Sequence, residues 1–202
     1  GNTGGAFAGQ ACSAGFSCEM IIGLTGANAS GKGEAAGYLG SKGFEYLSLS
    51  DILREEAKAN KIELSRENLI KLGNELRKKN GPSVLAELAI KKIGYKKNYV
   101  IDSIRSPFEI KALRKLDGFI LIGVDAAPET RFKRLTARKR PGDPETMEEF
   151  MENEKKENIA VASNQQLDNC LKAADTVIMN DSTMREFHKK IDAAIVRCGG
   201  YA

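Results

Sequence analysis

The chain has 202 residues, 42% hydrophobic and 29% charged, the balance of an ordinary globular protein with room for one domain and a sizeable core. No apolar run approaches the length of a membrane span, which excludes a membrane-embedded protein. The net charge of +4 suits a protein that handles anionic ligands, but it does not by itself argue for nucleic acid.

Gly1 to Glu19 are rich in Gly, Ala and Ser, with neither the basic start nor the sustained apolar stretch of a signal peptide. They read as a flexible extension or a cloning remnant, and the folded unit, residues 20–202, starts at Met20. From there, short β-branched runs alternate with helical patterns. The first candidate strand, Ile21–Thr25, runs into Gly26-Ala27-Asn28-Ala29-Ser30-Gly31-Lys32-Gly33 and then an Ala-rich helical segment. Two glycines separated by four residues, an adjoining lysine and both flanks make a phosphate-binding loop. Its backbone N–H groups turn inward on a phosphate, the helix beginning near Gly31 adds its positive end, and Lys32 reaches the β and γ oxygens. The next residue is ordinarily Ser or Thr, whose hydroxyl touches Mg²⁺. Here Gly33 and Glu34 follow, so metal binding leans on other groups.

The second candidate strand, Glu45–Ser48, leads into a mostly helical insertion over about 51–93. The third, Tyr99–Asp102, ends in an acid, where a carboxylate holds Mg²⁺ beside nucleotide phosphates. Asp102 is the metal candidate, in competition with a role as cap of the helix that begins near Pro107. Arg105 points toward the same crevice. After the fourth strand, Phe119–Val124, residues Arg131, Arg134 and Arg138 share one helix face and lead into a lid over about 138–169. Arg134 and Arg138 read as clamps on a transferring phosphoryl group when the lid closes, whereas Arg131 reads as an exposed charge neutralised by Glu129, Glu145 and Glu148. Glu145 to Asn158 alternates in charge and reads as a mobile, solvated helix with Phe150 and Met151 as its apolar contacts. The fifth strand, Thr176–Met179, runs into Asn180, a candidate for facing the nucleobase, with Asp181 or Ser182 capping the last helix.

Continuous apolar strands separated by helices predict an α/β fold of three layers, with a five-stranded parallel sheet covered on both faces. Ligands of such a sheet bind beyond the carboxyl ends of its strands. Cys12, Cys18, Cys170 and Cys198 fall in no metal-ligand spacing and read as free thiols, and the single histidine, His188, reads as a solvated helix residue.

These motifs resemble the P-loop nucleoside monophosphate kinase superfamily, which includes adenylate kinases and dephospho-coenzyme A kinases, and the likeness runs from Met20 to the last helix. Ser50-Asp51-Ile52-Leu53-Arg54-Glu55-Glu56 is similar to the segment after the second strand of adenylate kinases. Asp102-Ser103-Ile104-Arg105 resembles their Asp-Gly-Phe-Pro-Arg, without the Gly, Phe and Pro. The resemblance implies that Asp51, Arg54 and Arg105 serve the acceptor and that Asp102 lies near Mg²⁺. It also matches Arg134 and Arg138 to the family's Arg-x-x-x-Arg at the start of the lid. Adenylate kinases likewise carry Gly after the loop lysine, while Glu34 stands where they have Thr. Asn74-Glu75-Leu76-Arg77-Lys78-Lys79-Asn80-Gly81-Pro82 resembles segments of archaeal adenylate-kinase-like proteins, of kinase-like modules joined to deoxycytidylate deaminases, and of phage deoxynucleoside monophosphate kinases. Arg77 is thereby an acceptor candidate, set against a solvated helix arginine beside Lys78 and Lys79.

What the resemblance implies is a cytoplasmic phosphotransferase using ATP and Mg²⁺ on a small nucleoside or deoxynucleoside monophosphate, with Gly26 to Glu34 and Asn180 on the nucleotide. The alternatives are a dephospho-coenzyme A kinase and a nucleotide-binding regulatory module acting on a partner such as a deaminase. Nucleic acid is not an expected partner, because the Arg77-Lys78-Lys79 cluster lacks an aromatic platform.

Overall fold

A computed structural model describes residues 20–94, 97–139, 143–157 and 166–199. The N-terminal stretch Gly1–Glu19 and residues 140–142 and 158–165 of the expected lid lie outside the described residues, as do Cys12 and Cys18. The strands are β1 (Ile21–Thr25), β2 (Glu45–Ser48), β3 (Tyr99–Ile104), β4 (Phe119–Asp125) and β5 (Thr176–Met179). The helices are α1 (Lys32–Ser41), α2 (Leu49–Ala59), α3 (Arg66–Asn80), α4 (Val84–Ile90), α5 (Pro107–Leu113), α6 (Pro128–Arg138), α7 (Met147–Glu157), α8 (Leu167–Lys172) and α9 (Met184–Gly199). The sheet is parallel throughout, in the order β2-β3-β1-β4-β5.

The predicted five strands and layered fold are therefore present, with two ends moved. β3 runs two residues past Asp102, and β4 includes Asp125. Alternation of side chains across each strand divides the core into two halves. Ile21, Tyr99, Ile101 and Leu121 pack with Leu49, Leu85 and Leu113 on one face. Ile22, Leu24, Val100, Ile120 and Ile122 pack with Leu39, Phe187 and Ile191 on the other. Both faces of the central strands are covered, which is why β1 is buried at every position. β1 lies between β3 and β4, so the loops leaving these three strands meet at one point beyond the sheet.

Two expectations about helix ends are corrected. The N-terminus of α9 is capped by Thr183, whose Oγ1 accepts from Glu186 N, while Asp181 instead accepts from Ala127 N. α5 is capped by Ser106 through a capping box with Glu109, which leaves Asp102 without that role. His188 is half-buried and stacks on Tyr38 of α1 with ring centroids 3.9 Å apart.

Candidate functional site

The phosphate loop connects β1 to α1 by backbone that only small residues tolerate. Gly26 has φ +141 and a Cβ there would stand 2.0 Å from Val124 O, while Gly31 has φ +111 and a Cβ there would stand 2.1 Å from Asn180 Nδ2. The loop is braced from beneath. Asn180 Nδ2 donates to Ser30 O at 2.9 Å, and Arg134 donates to Ala29 O, Ser30 O and Asn180 O. Ser30 Oγ and Asn180 Oδ1 are buried without hydrogen-bond partners. The sequence assigns Arg134 to the phosphoryl group and Asn180 to the base; in the structure their polar atoms hold the loop's carbonyls.

Lys32 opens α1 and folds back over its own loop, its Nζ donating to Gly26 O and Ala27 O at 2.8 Å each. Its pKa is pulled down to about 8, first by burial and then by the nearby Arg105 charge, against the pull of Asp102 and Asp125 and with a further push from Arg131. Charged groups from β3, β4, α6 and the loops beside them thus act on one ammonium. Gly33 and Glu34 are exposed, and a Cβ at Gly33 would meet nothing within 4 Å.

Asp102 is buried within β3. The register of β1 against β3 slips between Gly23 and Thr25, so β3 carries an extra residue beside the loop, and Ser103 takes φ +66 to accommodate it. The resemblance places glycine at that position, where positive φ is unstrained. Ser103 N donates to Asp102 Oδ1, the Tyr46 hydroxyl lies 3.4 Å from Oδ2, and Ser48 Oγ lies 3.5 Å from Ser103 Oγ.

Of the residues expected to serve an acceptor, Asp51 and Arg54 form an exposed pair at 2.6 Å on α2. Arg77 on α3 is neither solvated nor exposed: its side chain and that of Glu109 are both buried, joined at 3.1 Å. Arg105 follows β3, and its backbone N–H donates to Glu109 Oε2 at 2.9 Å.

At the end of α6, Arg138 forms a two-pronged pair with Asp143, at 2.8 Å on each arm. Arg131 corrects the sequence reading outright. It is buried, donates from Nε to Ala126 O at 2.9 Å, pairs with Glu154 of α7, and lies over the Phe150 ring. Phe150 is itself buried, so α7 is docked on α6 at these positions, while Met151 is exposed.

The sequence reading misses Asp125, Arg131 and Glu109 as parts of this constellation. Asp125 carries the same signal that singles out Asp102, an acid at the end of an apolar strand, one residue beyond the predicted end of β4. Glu109 is visible as the fourth residue of Ser-x-x-Glu. Among the described residues no three metal-ligating side chains cluster, and no helix is long and apolar enough to cross a membrane.

The AAA domain family matches residues 25–152, the segment from the end of β1 through the first half of α7. Two relatives are UPF0200 proteins of Pyrococcus horikoshii and Hyperthermus butylicus. The first is 35% identical over 87% of this chain and 96% of its own length, the second 33% over 90% and 96%. The chain belongs to the AAA domain family and to UPF0200. The phosphate loop, β3 with Asp102 and the arginine helix α6 all lie inside the segment that defines membership of the AAA domain family. Solved structures share this fold. A Thermus thermophilus protein superposes with a TM-score of 0.58 at 23% identity, covering 89% of this chain and 97% of its own. A gluconokinase from Sinorhizobium meliloti superposes with 0.56 at 12%, covering 90% and 94%. A shikimate kinase from Acinetobacter baumannii superposes with 0.53 at 14%, covering 89% and 94%. This UPF0200 protein therefore has a P-loop kinase-like fold.

Proposed function

We propose that the protein is an ATP-dependent phosphotransferase that moves the γ-phosphoryl group to a small nucleoside or deoxynucleoside monophosphate. The observation that carries this reading is the electrostatic neighbourhood of Lys32. The ammonium of a phosphate loop, the carboxylates Asp102 and Asp125, and the acceptor-side Arg105 all act on one point at the carboxyl ends of parallel strands.

The residues fit a nucleotide. Gly26 and Gly31 let the main chain of the loop turn where a side chain would strike Val124 O or Asn180, and Lys32 would exchange the carbonyls of Gly26 and Ala27 for phosphate oxygens. They also fit Mg²⁺, with Asp102 and Asp125 as the carboxylates that would hold it and phosphate or water completing the shell. Bound there, the ion would neutralise charge on the phosphates. The acceptor phosphate is already an anionic nucleophile. One of its oxygens bonds to the γ-phosphorus while the bond to the ADP oxygen breaks, and no proton has to be removed. Lys32 contributes charge neutralisation, and Arg54 and Arg105 contribute in-line placement of the acceptor. Cys170, buried and with its thiol pushed up to about 12, and Cys198 are free thiols, which agrees with a cytoplasmic setting.

A second reading is transfer to an alcohol such as that of dephospho-coenzyme A, with the buried carboxylate of Asp102 near the end of β3 as its base. There the Asp102 carboxylate would take the hydroxyl proton as the alcohol oxygen bonds to the γ-phosphorus and the bond to the ADP oxygen breaks. ADP release measured with ATP·Mg²⁺ against ribo- and deoxynucleoside monophosphates and dephospho-coenzyme A separates the two. Lys32→Ala is the control, expected to lose on the order of 10² or more in kcat. Turnover within a few-fold of wild type in that control would overturn the role of Lys32. Tight ATP binding with no turnover on any acceptor would overturn the kinase reading in favour of a regulatory module, acting on a partner such as a deaminase.

A further inference from the structure

The acceptor-side arginines Arg77 and Arg105 lie on different elements, and one buried carboxylate joins them. Glu109 is the third helical residue of α5, the position from which a capping-box glutamate ordinarily serves only the capping residue's N–H. Here Oε2 accepts that N–H, from Ser106 at 3.1 Å, and also the N–H of Arg105 at 2.9 Å. Oε1 accepts from Arg77 NH2 at 3.1 Å, across 32 residues of sequence. Glu109 is fully enclosed, and Arg77 Nε is buried without any hydrogen-bond partner.

A purely structural bridge accounts poorly for this. Burying an ion pair gives little net stability compared with apolar residues of the same volume, and a buried guanidinium nitrogen left unpartnered adds a further cost. What the arrangement does supply is a fixed register between the acceptor insertion and the strand end that carries Arg105. Arg105 in turn stands close enough to Lys32 to lower its pKa.

We propose that Glu109 is a positioning residue for the acceptor. By holding Arg77 and the backbone of Arg105 on one carboxylate, it sets both arginines for a single phosphomonoester. The proposal rests on the acceptor reading given above and names how that site is assembled. It predicts that acceptor affinity, and not ATP affinity, depends on the pair.

The test is calorimetric titration of AMP, dAMP, CMP, dCMP and dephospho-coenzyme A into protein saturated with a non-hydrolysable ATP analogue and Mg²⁺. Glu109→Gln alone leaves Arg77 buried and unpaired and is expected to fold poorly. The double variant Arg77→Met with Glu109→Gln removes both charges and keeps a side chain able to complete the capping box. The expected result is that wild type binds one member of the panel, and that the double variant binds it on the order of tenfold or more weakly while binding the ATP analogue within about twofold of wild type. Equal acceptor affinity in the double variant would overturn this proposal alone. A wild-type protein that binds the analogue but no member of the panel would overturn the acceptor reading and this proposal with it.

Discussion

Arg134 and Asn180 hold the phosphate loop as a unit: Arg134 NH2 donates to Asn180 O at 2.7 Å, and both side chains donate to Ser30 O. An arginine engaged by three carbonyls fixes the shape of the loop. Replacing Arg134 with Met should therefore destabilise the protein by roughly 2–4 kcal/mol, the scale of losing several charge-assisted hydrogen bonds. It should also weaken binding of an ATP analogue. Thermal melts and calorimetry check both. A variant with wild-type analogue affinity and reduced kcat alone would return Arg134 to the clamp role.

Lys32 gives a pH signature. Its pKa falls from 10.5 to about 8 in the fold, so between those values the unfolded chain holds more protons than the native one, and stability rises with pH across that window. Below about pH 8 both states are protonated and the full penalty stands. It is bounded at roughly 3 kcal/mol, since each tenfold loss of proton affinity is worth about 1.4 kcal/mol. Lys32→Met should therefore lack this rise, so that its stability relative to wild type falls as pH climbs from about 8 to 10.5. A phosphate arriving beside Lys32 raises the pKa again. Binding of an ATP analogue near pH 8 to 9 should then take up a fraction of a proton, seen by calorimetry in two buffers of different ionisation enthalpy and lost in Lys32→Met. Equal binding heats in the two buffers would show that Lys32 is already charged in the free protein.

How much of this is legible in the sequence follows from which forces are local. The five strands are readable because a parallel sheet buried on both faces needs continuous apolar runs, such as Ile21–Thr25 and Tyr99–Ile101. The loop is readable because its glycines and lysine are contiguous. Arg131 is misread because three- and four-residue spacing reveals a shared face but not what packs on it. Here Phe150 and Glu154 arrive from the next helix and enclose the charge. Arg77 stays ambiguous in sequence for the same reason, its partner Glu109 lying beyond an intervening helix and strand. Ser103 can be aligned with the family's glycine, but its positive φ comes from a register slip between strands, which no local pattern encodes.

The two loop glycines that flank Lys32 should respond in opposite ways. Gly31→Ala forces a Cβ against Asn180 Nδ2 at a φ of +111 and should abolish analogue binding or folding. Gly33 sits inside α1 in open space, so Gly33→Ser should be tolerated and should add a few tenths of a kcal/mol of helix propensity. It also restores a hydroxyl at the position that touches Mg²⁺ in many P-loops. The Mg²⁺ concentration for half-maximal turnover should fall several-fold in Gly33→Ser. An unchanged Mg²⁺ requirement would mean that the strand-end carboxylates already meet the demand.

The docking of α7 turns on Arg131. Its guanidinium bridges Ala126 O and Glu154 and lies over the Phe150 ring, so it joins the residue after β4 to α7 through one side chain. Arg131→Met keeps an apolar stem and removes both the bridge and the guanidinium over Phe150. Because Glu154 is only partly buried it turns to water once unpaired, which places the cost at roughly 1–3 kcal/mol, below that of breaking a fully enclosed pair. The loss should fall on α7 more than on the sheet. Amide exchange of residues 150–155 should quicken in Arg131→Met while β1 and β3 keep their protection, and a double-mutant cycle with Glu154→Gln should return a coupling of about 1 kcal/mol or more. Exchange in α7 equal to that of wild type would show that Phe150 alone holds α7 in place.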